Sequence, residues 1–532
     1  MLPGYANMNN VTVQQAAQGI AVYLLKNVAD AASKGIIIGY DGRHHSQEFA
    51  RLSARVFALK GFKVFLFSQM CGTPFVPYGI LKLKCSAGVM VTASHNPKED
   101  NGYKVYGENG ALIISPFDTE VSKAIEQNLQ LWDLSKIDED LIVDPLDMIR
   151  LRYVQQSVEK LCYHKETNPT TPLKGKIVYT AMHGVGGLYV NDVIGAFGLP
   201  LPHFVPSQCK PDPNFPTVTF PNPEETGALD IAMAEAEKIG ATLVIATDPD
   251  ADRLACAEKQ HDGKWHVLTG NEIGVLVGEW LWSSFHQKHP EVKPQDTCML
   301  STAVSSGLLQ RICKTEGIIY EETLTGFKWM GNALLKYLAD GKHFLFAYEE
   351  SIGYLCGDLS YDKDGMRTCA IMTECATELA RKGKTLVQHL DEIHQKYGFF
   401  IANNKYYFCY DPNTMNKIFD EMRHGGKYVE SIGRFKVTRI RDLTVGYDSG
   451  MPGNKPILPV SKSTQMITYF FENGCSATLR GSGTEPKLKY YIEIDGKYQD
   501  KEKITAELME ISHAILETCL RPDHFGLAKP NQ

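Results

Sequence analysis

The feature that most constrains this chain is a recurring pair of textures: a short run of β-branched and other apolar residues, then a longer stretch whose apolar residues return every third or fourth position. The short runs are GIIIGY at 35–40, FKVFLF at 62–67, AGVMVTA at 87–93, GKIVYTA at 175–181, ATLVIAT at 241–247 and HFLFAY at 343–348. Each is brief and apolar throughout, as a strand buried on both faces should be. Stretches such as VTVQQAAQGIAVYLLKNV at 11–28 and NEIGVLVGEWLWSSF at 271–285 carry the amphipathic helical period. The alternation predicts sheets of parallel strands covered by helices.

A chain of 532 residues exceeds what one hydrophobic core organises, about 250 to 300 residues, so several domains are expected. Beyond residue 400 the texture changes to FKVTRIRDLTVG, QMITYFF and CSATLR, followed by an amphipathic stretch over 501–519, which predicts a separate α+β domain. The expected divisions are 1–168, 169–290, 291–400 and 401–532. A formal net charge of −7 supplies no global pull toward nucleic acid or an anionic membrane. No apolar run reaches 18 residues and the opening MLPGYANMNN lacks the basic and apolar regions of a secretory signal, so a cytoplasmic protein is expected. Thirteen cysteines stand singly with no CxxC pair, which argues against zinc, thiol redox chemistry and a disulfide scaffold.

Three loops carry chemistry. In TASHNPKEDNGYKVY at 92–106 an apolar strand stops and a hydroxyl, Ser94, follows at its carboxyl end, where open α/β sheets bind ligands. A Ser-His turn taken alone is also an ordinary turn. In DPDADR, Asp248, Asp250 and Asp252 alternate directly after ATLVIAT, so an extended loop can aim three carboxylates at one centre, the oxygen-rich ligation Mg²⁺ prefers. An EF-hand is excluded because Arg253 and Lys259 stand where that loop needs Gly and Glu. In LRGSGTEPKLKYY at 479–491, Arg480, two hydroxyls and two glycines have the composition of a phosphate cradle, although no Walker sequence is present.

Weaker signals accompany them. HGVGG at 183–187 falls short of a dinucleotide fingerprint because Tyr189 occupies the last glycine position. Glu349, Glu350 and Ser351 follow a strand, and Lys328 and Arg43 are single cations in TGFKW and GYDGR. A metal triad, a hydroxyl that can be phosphorylated and a separate phosphate cradle together suit phosphoryl transfer on a substrate that is already phosphorylated.

TASHNP, DPDADR, EES and RGSGTEPK, in that order, resemble the phosphoserine, metal, sugar-recognition and phosphate-binding loops of the α-D-phosphohexomutase family. TLTGFKWMGN, RDLTVGYD and SGTEPKLKYY are similar to the branch of phosphopentomutase-type phosphoglucomutases, which also holds glucose-1,6-bisphosphate synthase. The resemblance implies three related mixed-sheet α/β domains and a smaller C-terminal α+β domain around a central cleft. It implies Ser94 as the phosphoserine, and Asp248, Asp250 and Asp252, with Ser94, as the Mg²⁺ site. Lys104 becomes the candidate acid/base, with His95 and Arg253 beside the chemistry. Glu349 and Ser351 would hold sugar hydroxyls; Arg480, Ser482, Gly483, Thr484 and Lys489 would grip the non-reacting phosphate, and Arg43 and Lys328 would face substrate.

The implied activity is a mutase acting on small phosphosugars, with a sugar bisphosphate such as glucose 1,6-bisphosphate as activator. No nucleic-acid or membrane partner is expected, and a monomer is favoured. A synthase making glucose 1,6-bisphosphate from 1,3-bisphosphoglycerate and a weakly active sugar-phosphate-binding protein are the alternatives. The last stems from a departure: the family's opening G-T-x-G-x-R segment does not precede MLPGYANMNN, so either the chain is a shortened form or its start is missing from this sequence.

Overall fold

Three sheets are built to one plan, and that plan places the loops of interest. In a computed structural model of the protein, which describes residues 7–462, 464–483 and 485–529, the first sheet runs Tyr103–Gly107, Ala87–Val91, Ile36–Tyr40, Val64–Leu66, Ile142–Val143. The second runs Trp265–Leu268, Leu254–Lys259, Leu243–Thr247, Ile177–Thr180, His203–Phe204. The third runs Gly353–Cys356, His343–Glu349, Thr297–Thr302, Ile319–Thr323. In each, the opening parallel strand pairs on one side with the second strand and on the other with a third parallel strand. That third strand then turns back through a loop into an antiparallel one. The sheets are therefore mixed, and the same order recurs three times in sequences that share no visible repeat.

The apolar runs form strands for the reason their composition gives. Ile36–Tyr40, Ala87–Val91 and Leu243–Thr247 are buried at every position. The helices Asn10–Asn27 and Gly270–Lys288 match the amphipathic stretches, and both open with a capping box, Asn9 with Thr12 and Thr269 with Glu272. The core of the first sheet gathers Ile36, Ile38, Val64, Val89 and Val91 with Ala17, Leu24 and Phe57.

The chain divides into two compact units, 7–302 with 316–390, and 303–315 with 391–529. The second is built on a seven-stranded sheet whose longest members, Phe399–Phe408 and Lys487–Gly496, pair antiparallel over their whole length. Ser476–Gly481, Met466–Phe471 and Phe435–Asp442 follow in antiparallel order, and Lys501–Ile515 packs Ile504, Leu508 and Ile511 into the core. Among the described residues no helix is long and apolar enough to cross a membrane.

Candidate active site

The three loops that sequence singles out in the first unit are the three turn-backs of the repeated plan: 92–102, 248–253 and 350–352. Ser94 sits in the first with φ of 53°, a left-handed conformation that residues with a Cβ rarely adopt. Its amide donates to Thr92 Oγ1 at 2.8 Å, and its hydroxyl donates to Asp248 Oδ2 at 2.9 Å, with His95 Nδ1 at 3.3 Å. The loop thus presents the hydroxyl directly to the metal-type loop of the next sheet.

Asp248, Asp250 and Asp252 are each 0% exposed, and each offers an oxygen within 4.8 Å of the others. Three carboxylates so placed repel one another and have lost their hydration, so the fold must bring in positive charge. It does so asymmetrically. Lys104, on the strand that returns from the Ser94 loop, donates to Asp250 Oδ2 at 2.8 Å and Asp252 Oδ2 at 2.7 Å. Lys363 reaches Asp252 Oδ2 at 3.0 Å, and Thr73 donates to Asp250 Oδ2 at 2.6 Å. The opposite oxygens, Asp250 Oδ1 and Asp252 Oδ1, are buried and, among the described residues, have no hydrogen-bond partner. An all-oxygen set with two such atoms fits a hard divalent cation such as Mg²⁺.

The electrostatics repeat this geometry. Burial, then the neighbouring Asp250 and Asp252 charges, push the Asp248 carboxyl well above its ordinary range. Burial acts upward on Asp250 too, but the Lys104 ammonium and hydrogen bonds outweigh it and hold that carboxyl low. For Lys104, burial is outweighed by the charges of Asp250 and Asp252, so its ammonium is held more firmly than in water.

Two glycines allow backbone to touch the metal-type loop. A Cβ on Gly184 would lie 2.3 Å from Pro249 Cα, and one on Gly365 would lie 2.3 Å from the Arg253 carbonyl oxygen. HGVGG is thus a packing surface for that loop, with Val185 N donating to the Pro249 carbonyl at 2.8 Å. Arg253 joins the second and third loops: its amide donates to Asp248 Oδ1 at 3.0 Å, its Nη2 lies 3.6 Å from Glu349 Oε1, and its Nη1 donates to the Ser351 carbonyl. Glu349 is buried, which raises its carboxyl, while Arg253 and Lys363 act to lower it.

Ser94, His95, Lys104, Arg253, Glu349, Ser351 and the triad are therefore brought together. Arg43 is close by, and its guanidinium donates to carbonyls of the Ser94 loop. Lys328 is exposed on the helix Phe327–Ala339, against the Trp329 ring. Lys363 and Thr73 went unread in the sequence. YDKDGM gives a signal for the first, a lysine between two acids, 1% and 0% exposed at Asp362 and Asp364; Thr73 gives none.

In the second unit Arg480 and Lys489 stand opposite each other on adjacent strands, both partly buried. Like charges in that register repel, and among the described residues neither carries an ion pair. Lys487 is pinned by Glu485 at 2.8 Å and by the Tyr406 ring at 4.3 Å. Ser482 N donates to the Lys487 carbonyl at 2.8 Å, which turns the loop, and a Cβ on Gly483 would lie 3.8 Å from Thr464 Oγ1. Thr484 lies outside the described residues.

A hydroxyl hydrogen-bonded to a buried carboxylate triad, with ammonium groups on the far side of that triad, is equipment for phosphoryl transfer. Sequence models for the phosphoglucomutase/phosphomannomutase alpha/beta/alpha domains I, II and III match residues 3–131, 152–263 and 269–397. The chain is 47% identical to the phosphopentomutase of Homo sapiens, over 99% of this chain and 89% of the relative. It is 44% identical to the glucose 1,6-bisphosphate synthase of Homo sapiens, over 98% and 87%, and 39% identical to the phosphoribomutase of Saccharomyces cerevisiae, over 99% and 89%. The fold is shared with the open form of parafusin, a phosphoglucomutase from Paramecium, at a TM-score of 0.69 and 19% identity over 94% of this chain and 91% of that one. The chain belongs to the phosphoglucomutase/phosphomannomutase family.

Proposed function

We propose that this protein is a phosphosugar mutase that moves a phosphoryl group between two positions of a phosphopentose or phosphohexose by way of a phosphoserine at Ser94. The observation that carries the reading is the 2.9 Å contact from Ser94 Oγ to Asp248 inside the buried triad. Phosphorylated Ser94 donates to a free sugar hydroxyl: the serine O–P bond breaks as the sugar O–P bond forms. The hydroxyl proton replaces the phosphoryl group on Ser94: the Lys104 ammonium gives a proton to the serine oxygen and takes up the one the sugar hydroxyl releases, with His95 alongside. The resulting bisphosphate turns over and returns its other phosphoryl group to Ser94.

Asp248, Asp250 and Asp252, with an oxygen on Ser94, are the residues that would hold Mg²⁺. When bound, Mg²⁺ supplies positive charge for the oxygens of the transferring group. Arg253 lies beside the chemistry, Glu349 and Ser351 orient sugar hydroxyls, and Arg480, Ser482, Gly483, Thr484 and Lys489 take the non-reacting phosphate. Phosphoserine chemistry, metal binding, sugar recognition and phosphate binding then fall in residues 1–168, 169–290, 291–400 and 401–532 in turn. We expect a cytoplasmic monomer primed by a sugar bisphosphate such as glucose 1,6-bisphosphate.

The 44% identity to a glucose 1,6-bisphosphate synthase favours a second reading, in which 1,3-bisphosphoglycerate phosphorylates the same serine. Turnover of ribose 1-phosphate and glucose 1-phosphate should be compared with and without glucose 1,6-bisphosphate, and with 1,3-bisphosphoglycerate as donor. Mutase turnover that needs only the bisphosphate supports the first reading. Bisphosphate formation only with 1,3-bisphosphoglycerate supports the second, and neither activity would remove both.

A further inference from the structure

We infer that Arg43 and Phe215 form a positioning pair for the reaction: Arg43 holds the turn that carries Ser94, and Phe215, from the loop of the neighbouring sheet, holds Arg43. The inference rests on Ser94 being the phosphorylated residue. The Arg43 side chain is 1% exposed. Its Nη2 donates to the carbonyls of Ser94 and Asn96, both at 2.6 Å. Its Nη1 donates to those of Pro97 at 2.7 Å and Asp100 at 3.3 Å, and its Nε lies 3.3 Å from Asp41 Oδ2. The nitrogens of the guanidinium are therefore all directed toward the loop or toward Asp41. Arg43 cannot grip a substrate phosphate without releasing the loop, so the role fitted to it is to hold that loop.

The loop needs holding. A left-handed Ser94 is disfavoured on its own and persists only where its surroundings fix it. Four carbonyls gathered on one planar cation do this, and a lysine, with its donors at a single point, does not reproduce the arrangement. If the turn relaxed, the Oγ would swing away from Asp248.

Phe215 closes the outer side. Its ring centroid is 5.0 Å from Arg43 Cζ, and it is 5% exposed and itself left-handed at φ of 47°. Its loop is tied down independently: Asp212 N donates to the His183 carbonyl at 2.9 Å, and Asn214 Oδ1 lies 3.1 Å from His44 Nε2. A Cβ on Gly42 would come within 3.2 Å of Pro211 Cβ, so the two segments are in direct contact. The ring excludes water from the guanidinium, and hydrogen bonds to carbonyls are stronger where water does not compete.

The test compares Arg43→Lys, Phe215→Ala and Phe215→Tyr with the parent by steady-state kinetics, thermal melt and hydrogen exchange of the resting protein. Arg43→Lys should lower kcat about 100-fold, as misplacement of a reacting atom does, with KM within about threefold. Phe215→Ala should lower kcat about tenfold, and Phe215→Tyr, which keeps the ring, should restore it. Amides across 92–102 should exchange faster in Arg43→Lys, a readout that needs no substrate. A raised KM at unchanged kcat for Arg43→Lys would overturn the inference by placing Arg43 on the substrate. Equal defects in Phe215→Tyr and Phe215→Ala at parental melting temperature would overturn the stacking role. If the parent turns over no phosphosugar, the mutase reading fails; unchanged exchange across 92–102 fails the clamp alone.

Discussion

The triad region of the first unit and the Arg480–Lys489 region of the second handle charge in opposite ways. Around Asp248, Asp250 and Asp252 every carboxylate is buried and met by a donor the protein supplies, and among the described residues only two oxygens are left over. At the loop after Ser476–Gly481, Arg480 and Lys489 face each other across strands and, among the described residues, neither is answered by a carboxylate. One region is assembled before anything binds; the other carries positive charge that an anion would complete. Changes in the first should therefore act on kcat, and changes in the second on KM.

The largest break expected is Asp250→Ala. It removes one carboxylate of the buried triad and one of the two acceptors of Lys104, and should lower kcat about 10³-fold while weakening the dependence on Mg²⁺. Metal titrations of turnover that superimpose on the parent would make the triad structural.

Glu374→Ala probes how the first unit is kept rigid. The Glu374 carboxylate accepts from His164 N at 3.0 Å, Tyr163 N at 3.2 Å and Asn168 Nδ2 at 2.9 Å, tying the segment between two sheets to the helix Gly365–Arg381. Stranding these donors should cost about 3 kcal/mol in denaturant unfolding. Glu374→Gln should recover part of it, and no loss would place the rigidity elsewhere.

Arg480→Ala sharpens the contrast. Losing a charge-assisted contact present before and after transfer should raise KM about 10- to 100-fold for any phosphosugar, with kcat little changed. An unmoved KM would put the phosphate elsewhere.

The smallest effect concerns pH. Glu493 accepts from Gly307 N at 2.8 Å, and burial, then the Asp495 charge, push its carboxyl up to about 7 despite the hydrogen bonds it accepts. A raised carboxyl binds its proton more tightly folded than unfolded, so stability is fullest at low pH and falls as pH rises through the window from about 4.5 to about 7. Over that window the second unit should lose several degrees in melting temperature relative to Glu493→Gln; parallel profiles would count against it.

Much of this was readable from residues alone. Strands buried on both faces announce themselves as unbroken apolar runs, so Ile36–Tyr40, Ala87–Val91 and Leu243–Thr247 fall where GIIIGY, AGVMVTA and ATLVIAT stand. The returning strands were harder. Tyr103–Gly107 and Gly353–Cys356 are short and follow polar loops, and only pairing with a neighbour makes them strands. In the site, composition pointed to Ser94 and the aspartates because unusual residues cluster in sequence there. It missed Lys363 and Thr73, which lie 111 and 177 residues from the carboxylates they meet. Arg43 stood out only as a lone cation in a turn, and such a cation reads the same whether it faces a phosphate or, as its contacts here run, four carbonyls.

The central claim is that Ser94 carries the phosphoryl group, and the most direct test is the mass of the intact protein through one catalytic cycle. After incubation with glucose 1,6-bisphosphate and Mg²⁺ the parent should gain one phosphoryl group, mapped to the peptide containing Ser94, and lose it to a phosphosugar acceptor. Ser94→Ala should gain nothing and turn over nothing. An adduct on another residue, or near-parental turnover by Ser94→Ala, would contradict the account.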